Sequence, residues 1–102
     1  FWTRGTSTAS ENIVIRGNVY LQGNGGGAQG IFMDNDAGIP YRNVLIEDNL
    51  IYSSYPHGIT LVMAEGAVVQ DNVAISVPGS KYNVSIRLSD VNNGILSENI
   101  SN

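Results

Sequence analysis

The chain has 102 residues, 42% hydrophobic and 14% charged, and these proportions predict a single globular domain over residues 1–102. Its net charge is −4 and its five basic residues are scattered, so we expect no nucleic-acid partner. No apolar run approaches the ~18 residues of a membrane-spanning helix, and no signal peptide is visible. The absence of cysteine excludes disulfides and thiolate metal sites.

Two kinds of apolar block alternate along the chain. Thr6–Ser10 predicts a loop, the first long block follows at Asn12, and the glycine-rich loop Gly23–Gly27 leads to the first short block. β-Branched residues dominate both kinds, which favours strands over helices. The long blocks are Asn12–Tyr20, Asn43–Tyr52, Gly66–Ala74 and Asn93–Ser101; the short blocks are Gly30–Asp34, Gly58–Val62 and Asn83–Arg87.

The long blocks share a pattern of positions. The third and eighth are apolar in every copy, and the mostly polar fifth and sixth predict a bend. An asparagine always occupies the seventh position, where its amide can bond to the same amide in the next copy and where asparagine tolerates left-handed backbone. The pattern therefore predicts an asparagine ladder of Asn18, Asn49, Asn72 and Asn99.

Successive ladder asparagines are 31, 23 and 27 residues apart, a spacing typical of solenoids whose loops vary in length. In the short blocks, strand alternation predicts one inward and one outward set of side chains. The inward set is Ile31, Met33, Ile59, Leu61, Val84 and Ile86, and the outward set is Phe32, Asp34, Thr60, Val62, Ser85 and Arg87. We therefore predict an all-β solenoid of about four coils.

These columns, from Asn12 to Ser101, resemble the right-handed parallel β-helix repeat of the pectate-lyase-like superfamily. The resemblance implies a single-stranded coil of three parallel sheets, with a carbohydrate groove over the outer face of the first sheet. The superfamily includes pectin and alginate lyases, galacturonases, mannuronan epimerases, phage tailspikes and adhesins. It therefore implies an extracellular or cell-surface protein.

One short block is similar to a local motif of mannuronan epimerase modules, a Gly-Phe-Gly-Phe run followed by Asp-Pro-His-Glu. Gly30–Asp34 matches that motif through its first acid. Asn35, Asp36 and Ala37 then replace the Pro, His and Glu, and Val62 stands where the next rung of those enzymes has a second catalytic Asp. The resemblance thus retains one acid of the epimerase set.

The candidate catalytic residues are Asp34, His57 and Arg87. We expect Asp34, Val62 and Arg87 to form one outward column, with the first and last backbones ~10 Å apart. Arg87 would neutralise a uronate carboxylate, and His57 or Arg87 would abstract the neighbouring proton. The alternatives are a solvated sheet face with an incidental charge pair, and a histidine that is simply a polar turn residue.

The candidate substrate-binding residues are Phe32, Tyr55, Thr60 and Tyr82. Aromatic rings in such positions either stack on sugars or cover the core. Calcium is a further alternative at Asp34–Asp36 with Asp90, although this spacing differs from that of an EF-hand loop. We otherwise expect no cofactor.

Two functions remain open from the sequence. The first is a β-helix module that binds or processes an acidic polysaccharide, as a lyase, hydrolase or epimerase would. The second is a non-catalytic structural or adhesive solenoid, as in a phage tail or surface protein. Four rungs would stand only ~15 Å high with open strand edges at both ends, so we expect further β-helix coils or stacking with other chains as partners.

Overall fold

The computed structural model describes residues 2–3, 11–22, 30–35 and 38–101, and these residues form strands and turns with no helix. No helix within these ranges is therefore long and apolar enough to cross a membrane. The predicted all-β class is confirmed. The ten strands are β1 (Trp2–Thr3), β2 (Glu11–Arg16), β3 (Val19–Leu21), β4 (Ile31–Asn35), β5 (Tyr41–Glu47), β6 (Leu50–Ser53), β7 (His57–Gln70), β8 (Val73–Ser76), β9 (Ser85–Ser97) and β10 (Ile100–Ser101).

All strand pairs are parallel and join successive rungs of a solenoid of about three turns. A rung is one passage of the chain through all the faces: β1–β2–β3, then β4–β5–β6, then β7–β8, then β9–β10. The long strands β7 and β9 each span two faces, because the first half of β7 pairs with β4 and its second half with β5. The predicted parallel β-helix is thereby confirmed.

Three faces surround one core, and we name them for the rest of the description. The first face consists of β1, β4 and the first halves of β7 and β9. The second face consists of β2, β5 and the second halves of β7 and β9, and the third face of β3, β6, β8 and β10.

The core is made by alternate side chains of the strands, as the period of a β-strand requires. Of the predicted inward set, Ile31, Met33, Ile59, Leu61 and Val84 are buried, and Ile86 packs partly buried against them. The second and third faces add Tyr41, Val44, Ile46, Ile51, Ala64, Ala67, Val69 and Ala74. Burial of each large aliphatic side chain contributes ~1.5–3 kcal/mol to folding.

The predicted asparagine ladder is present at the corner between the second and third faces. The Nδ2 groups of Asn18, Asn49 and Asn72 each donate to Oδ1 of the next asparagine, at 3.0, 2.9 and 2.9 Å. Asn49 and Asn72 are buried, and their Nδ2 groups also donate to the carbonyl oxygens of Ile15 and Ile46. These bonds satisfy polar groups that burial would otherwise leave unpaired.

The corners depend on left-handed backbone, but not at the ladder asparagines. The expectation that the asparagines themselves use this conformation is wrong, because the preceding residue makes the bend. At that sixth position φ lies between 55° and 67° in every copy: Gly17, Asp48, Asp71 and Glu98. The first position also has positive φ in every copy, at Asn12, Asn43, Gly66 and Asn93, and marks the corner between the first two faces together with Met63 and Asp90.

The apolar third and eighth positions of the long blocks point outward. Val14 and Ile95 are 57% and 55% exposed on the second face, and Val19 and Ile100 are 64% and 59% exposed on the third. The residues that fill the core are their sequence neighbours, such as Ile46, Val69 and Ile51. The second and third faces therefore present apolar columns to solvent.

Two predicted loops, Thr6–Ser10 and Gly23–Gly27, lie outside the described residues, as does Asp36 of the possible calcium site. Between β8 and β9 the chain makes a turn at Val77–Ser80, where the Ser80 amide donates a 3.1 Å hydrogen bond to the Val77 carbonyl.

Candidate functional site

The outer side of the first face carries a column of three residues from successive rungs. Phe32 of β4 pairs with Thr60 of β7, and Thr60 pairs with Arg87 of β9. Parallel neighbours are ~4.8 Å apart, so the column spans ~10 Å from Phe32 to Arg87. The column thus combines an aromatic ring, a hydroxyl and a guanidinium.

The predicted column of Asp34, Val62 and Arg87 is wrong in register. Val62 pairs with Ser89, and Arg87 lies two residues nearer the start of its strand, beside Thr60. A two-residue shift leaves every side chain on the same face, so alternation alone cannot distinguish the two registers. The actual register aligns Ile59 with Ile86 and leaves an irregularity between His57 and Ile59.

Aromatic contacts extend this column toward the turn before β7. The ring centroids of Phe32 and His57 are 5.5 Å apart with an interplanar angle of 62°, an edge-to-face contact. The Tyr55 and His57 centroids are 5.7 Å apart at 49°. Thr60 is only 3% exposed, and its Oγ1 lies 3.4 Å from Nδ1 of His57. We call Phe32, Tyr55, His57, Thr60 and Arg87 the first-face cluster.

Hydrogen bonds fix the turn that presents Tyr55 and His57. Oε1 of Gln22 accepts from the amide and the hydroxyl of Ser54, at 2.7 and 2.9 Å. The Tyr55 amide donates to Oγ of Ser53 at 3.0 Å, and the Pro56 carbonyl accepts from the Ser85 hydroxyl at 2.7 Å. The two rings are therefore held by neighbouring rungs on both sides.

Gly58 allows β7 to begin close to the next rung. A Cβ at this position would lie 2.4 Å from Cγ2 of Val84 and 2.9 Å from the Ser85 carbonyl oxygen. Real Cβ atoms do not approach other atoms so closely, so only glycine fits between His57 and the core. The close approach that Gly58 allows between neighbouring rungs thus determines the position of His57 relative to Thr60.

Two predicted site residues lie apart from the cluster. Asp34 is half-buried and lies two residues after Phe32 in β4. The β4–β7 register, which pairs Met33 with Leu61, would align Asp34 with Val62 if it continued by one residue. Tyr82 lies in the loop before β9, 50% exposed, with the Lys81 ammonium 5.4 Å from its ring centre. No hydrogen bond, ion pair or ring contact among the described residues joins either of them to the cluster. The structure therefore joins Phe32, Tyr55, His57, Thr60 and Arg87 but not Asp34 or Tyr82.

The charge environment distinguishes Arg87 from the other arginines of the described residues. Arg16 bonds to Glu47 at 2.5 Å, and Arg42 lies 3.8 Å from Glu65. No carboxylate among the described residues lies within ion-pair distance of Arg87, whose side chain is exposed. Arg87 is thus the described arginine that is available to an external anion.

A hydrogen-bonded column on the second face was not predicted from the sequence. Arg16, Glu47 and Gln70 each occupy the fifth position of a long block, so the repeat itself indicated that they would lie side by side. Glu47 accepts from the Gln70 amide at 2.8 Å and from Arg16 in the adjacent rung. These bonds, that of Gln70 first, hold the pKa of the Glu47 carboxyl below its ordinary value despite the opposing effect of burial. This column is occupied by internal pairs and offers no free charge.

A groove of about 450 Å³ lies at the corner between the first two faces, bordered by Glu65 and Asp90. Its carboxylates would repel an anionic ligand, so it does not compete with the first-face cluster for such a role. The described residues contain no group of three or more His, Asp or Glu side chains that could hold a metal ion.

No protein-family model, curated protein or solved structure matches this chain. The parallel β-helix is established by the strand pairing itself.

Proposed function

We propose that the first face binds an acidic polysaccharide through the first-face cluster. The observation that carries this proposal is the unpaired guanidinium of Arg87, one rung from Thr60 and two from Phe32. A guanidinium recognises a carboxylate through two parallel N–H donors. Aromatic faces beside it suit the apolar side of a sugar ring. A polymer of uronate residues offers both features at once.

We propose separate roles for the residues along the column. Arg87 would bind the uronate carboxylate, while Phe32 and Tyr55 would contact sugar rings on the side nearer the preceding rung. His57 is held between the two rings and Thr60 by three contacts. Its imidazole would then lie within one sugar unit of the bound carboxylate.

We further propose that the cluster processes the bound polymer as a lyase. A lyase needs a base for the proton next to the carboxylate and a cation that neutralises the developing negative charge. His57 and Arg87 lie in adjacent rungs and would supply these two roles. Asp34 lies in a different column, so we expect it to contribute less than His57. Such a substrate would place the protein outside the cell or at its surface.

Binding is tested by affinity measurements with polygalacturonate and alginate, and with a neutral glucan as a comparison. We expect Arg87→Ala to abolish the preference for the acidic polymers and Phe32→Ala to weaken binding of all of them. Arg42→Ala is the matched control, because Arg42 is an exposed arginine on the second face that already has a carboxylate neighbour. Equal losses in the Arg87 and Arg42 variants would contradict the proposal.

Turnover is measured separately by the release of unsaturated uronate oligomers. A lyase role predicts that His57→Gln eliminates product while polymer binding persists. If binding is intact and the wild-type protein releases no product, the function is recognition alone.

A structural or adhesive solenoid is the second candidate, and the apolar columns of the outer faces favour it. Val19, Leu21 and Ile100 are each about 60% exposed on the third face. Apolar side chains in such rows favour contact with another protein surface. If no polysaccharide in the panel binds, this second function replaces the first.

A further inference from the structure

A second row of amide side chains lies at the corner between the first two faces. Its members are the first-position residues of the long blocks, Asn12, Asn43, Gly66 and Asn93, and all four have positive φ. The strand pairs on either side align them in successive rungs. Nδ2 of Asn43 donates to Oδ1 of Asn12 at 3.2 Å, but the third rung has a glycine. The first-position row is therefore a series of amides with one amide missing.

The missing side chain leaves a pocket of about 360 Å³ between Asn43 and Asn93. The half-buried side chains of Leu45 and Val68 form its apolar side, and none of its lining residues is charged. Oδ1 of Asn43 points into the gap, since a Cβ on Gly66 would lie 3.3 Å from this oxygen. No hydrogen bond among the described residues engages this oxygen or the Asn93 side chain. The pocket thus has polar groups at two ends and an apolar side.

The spacing of the rungs determines which group fits. Neighbouring rungs are ~4.8 Å apart, so a group beside Gly66 lies one rung from Asn43 and one rung from Asn93. One rung is the separation that the Asn12–Asn43 hydrogen bond already spans. Because Nδ2 of Asn43 is used in that bond, its Oδ1 remains to accept, and Nδ2 of Asn93 can donate from the other side. The ligand must therefore donate at one end and accept at the other.

A secondary acetamide meets this requirement. The N–H and C=O of a trans amide point in opposite directions, and its methyl group suits the apolar side of the pocket. A carboxylate lacks the donor, and a primary amide brings a second N–H for which the lining side chains provide no further acceptor. The absence of charged lining residues also favours a neutral group.

We propose that this pocket binds the acetamido group of an N-acetylated amino sugar. The amide N–H donates to Oδ1 of Asn43, its carbonyl accepts from Nδ2 of Asn93, and its methyl group packs on Leu45 and Val68. The apolar face of the sugar ring lies on the same column of side chains, which continues to Ile95, 55% exposed. This site requires no carboxylate on the ligand and goes beyond the function proposed for the first-face cluster.

Titration calorimetry with two matched oligosaccharides tests the proposal. The tetramer of N-acetylglucosamine and the equally linked tetramer of glucose differ only in the acetamido group, which is a hydroxyl in the second. We expect the wild-type protein to bind the acetamido tetramer at least ~10-fold more tightly, as two additional hydrogen bonds predict.

Four variants assign the preference to the pocket. Gly66→Asn supplies the missing amide on a backbone that Asn43 and Asn93 already adopt, and should abolish the preference. Asn93→Asp removes the donor and should also abolish it, whereas Asn43→Asp keeps an acceptor and should retain it. Asn92→Asp is the matched control, because Asn92 is adjacent, equally exposed and borders the other groove. The far-UV circular dichroism spectrum confirms that each variant is folded.

Equal affinities for the two tetramers would overturn the proposal. So would a preference that survives in Gly66→Asn, one that is lost in Asn43→Asp, or equal losses in Asn92→Asp and Asn93→Asp. A peptide with an acetylated lysine that binds as tightly as the acetamido tetramer would overturn the assignment to a sugar. Neither tetramer has a carboxylate, so Arg87→Ala should leave these affinities unchanged. Failure of this proposal is thereby distinguishable from failure of the proposed function.

Discussion

Replacement of Asn72 by alanine should be among the most destabilising single changes in the ladder. Asn72 is fully buried and takes part in four side-chain hydrogen bonds. Its removal leaves the buried Asn49 amide without its acceptor, whereas Nδ2 of Asn49 keeps its bond to Ile15 and the Ile46 carbonyl stays within the β5–β7 pairing. Each unsatisfied buried group costs ~1–3 kcal/mol. We therefore expect the free energy of unfolding to fall by ~2–4 kcal/mol, the cost of that amide plus ~1 kcal/mol for the other side-chain bonds that are lost, out of the ~5–15 kcal/mol of a typical domain.

Asn18→Ala is the control for this prediction. Asn18 is exposed, no described donor reaches its Oδ1, and its backbone amide would still donate to Asn49. Its replacement should cost at most ~1 kcal/mol, the net contribution of an ordinary hydrogen bond. Urea unfolding of both variants under the same conditions measures the two costs. Similar costs at the two positions would refute the view that burial sets the strength of the ladder.

Three further predictions follow from local geometry. Gly58→Ala should cost ~1–3 kcal/mol by overpacking, because the Ser85 carbonyl is backbone and cannot rotate away; thermal unfolding unchanged from wild type would contradict this. Glu98→Gly should stabilise by up to ~1 kcal/mol, since Glu98 has a φ of 58° where the first rung already has glycine; a lower urea midpoint would contradict it. Glu47→Gln should remove stability that is present above the ordinary carboxyl pKa and is lost as pH falls through the lowered pKa of folded Glu47. Urea unfolding should therefore separate it from wild type at neutral pH and not in strong acid.

The sequence predicted the features that repeat in every copy. The four asparagines, their common spacing and the inward set of the short blocks all rest on one period, and a period determines which side of a strand faces the core. The same argument indicated the bend at the fifth and sixth positions. It could not show which residue carries positive φ, because the sixth position holds glycine in one copy (Gly17) and acids in the others (Asp48, Asp71, Glu98), while asparagine, which also tolerates this backbone, follows it in every copy.

The candidate site was predicted in its residue types but not in its arrangement. The residue types point to Phe32, His57 and Arg87, yet the alternation also allows a register that places Arg87 in the column of Asp34. Arg87 differs from Arg16 and Arg42 because each of those two has a glutamate neighbour. Glu47 is 31 residues from Arg16 along the chain, and Glu65 is 23 residues from Arg42. Such distant pairs become visible only when the rungs are in register.

The ladder also determines how this chain can fold. Its side-chain bonds join asparagines 23 to 31 residues apart, since each rung contacts only the rungs beside it. The entropy lost on closing a loop rises with loop length, and folding slows as contacts become more distant in sequence. An added rung would lengthen the protein without lengthening any loop that must close. Folding can therefore proceed as a zipper, in which each finished rung is the template for the next and the largest kinetic barrier is the first pair of rungs.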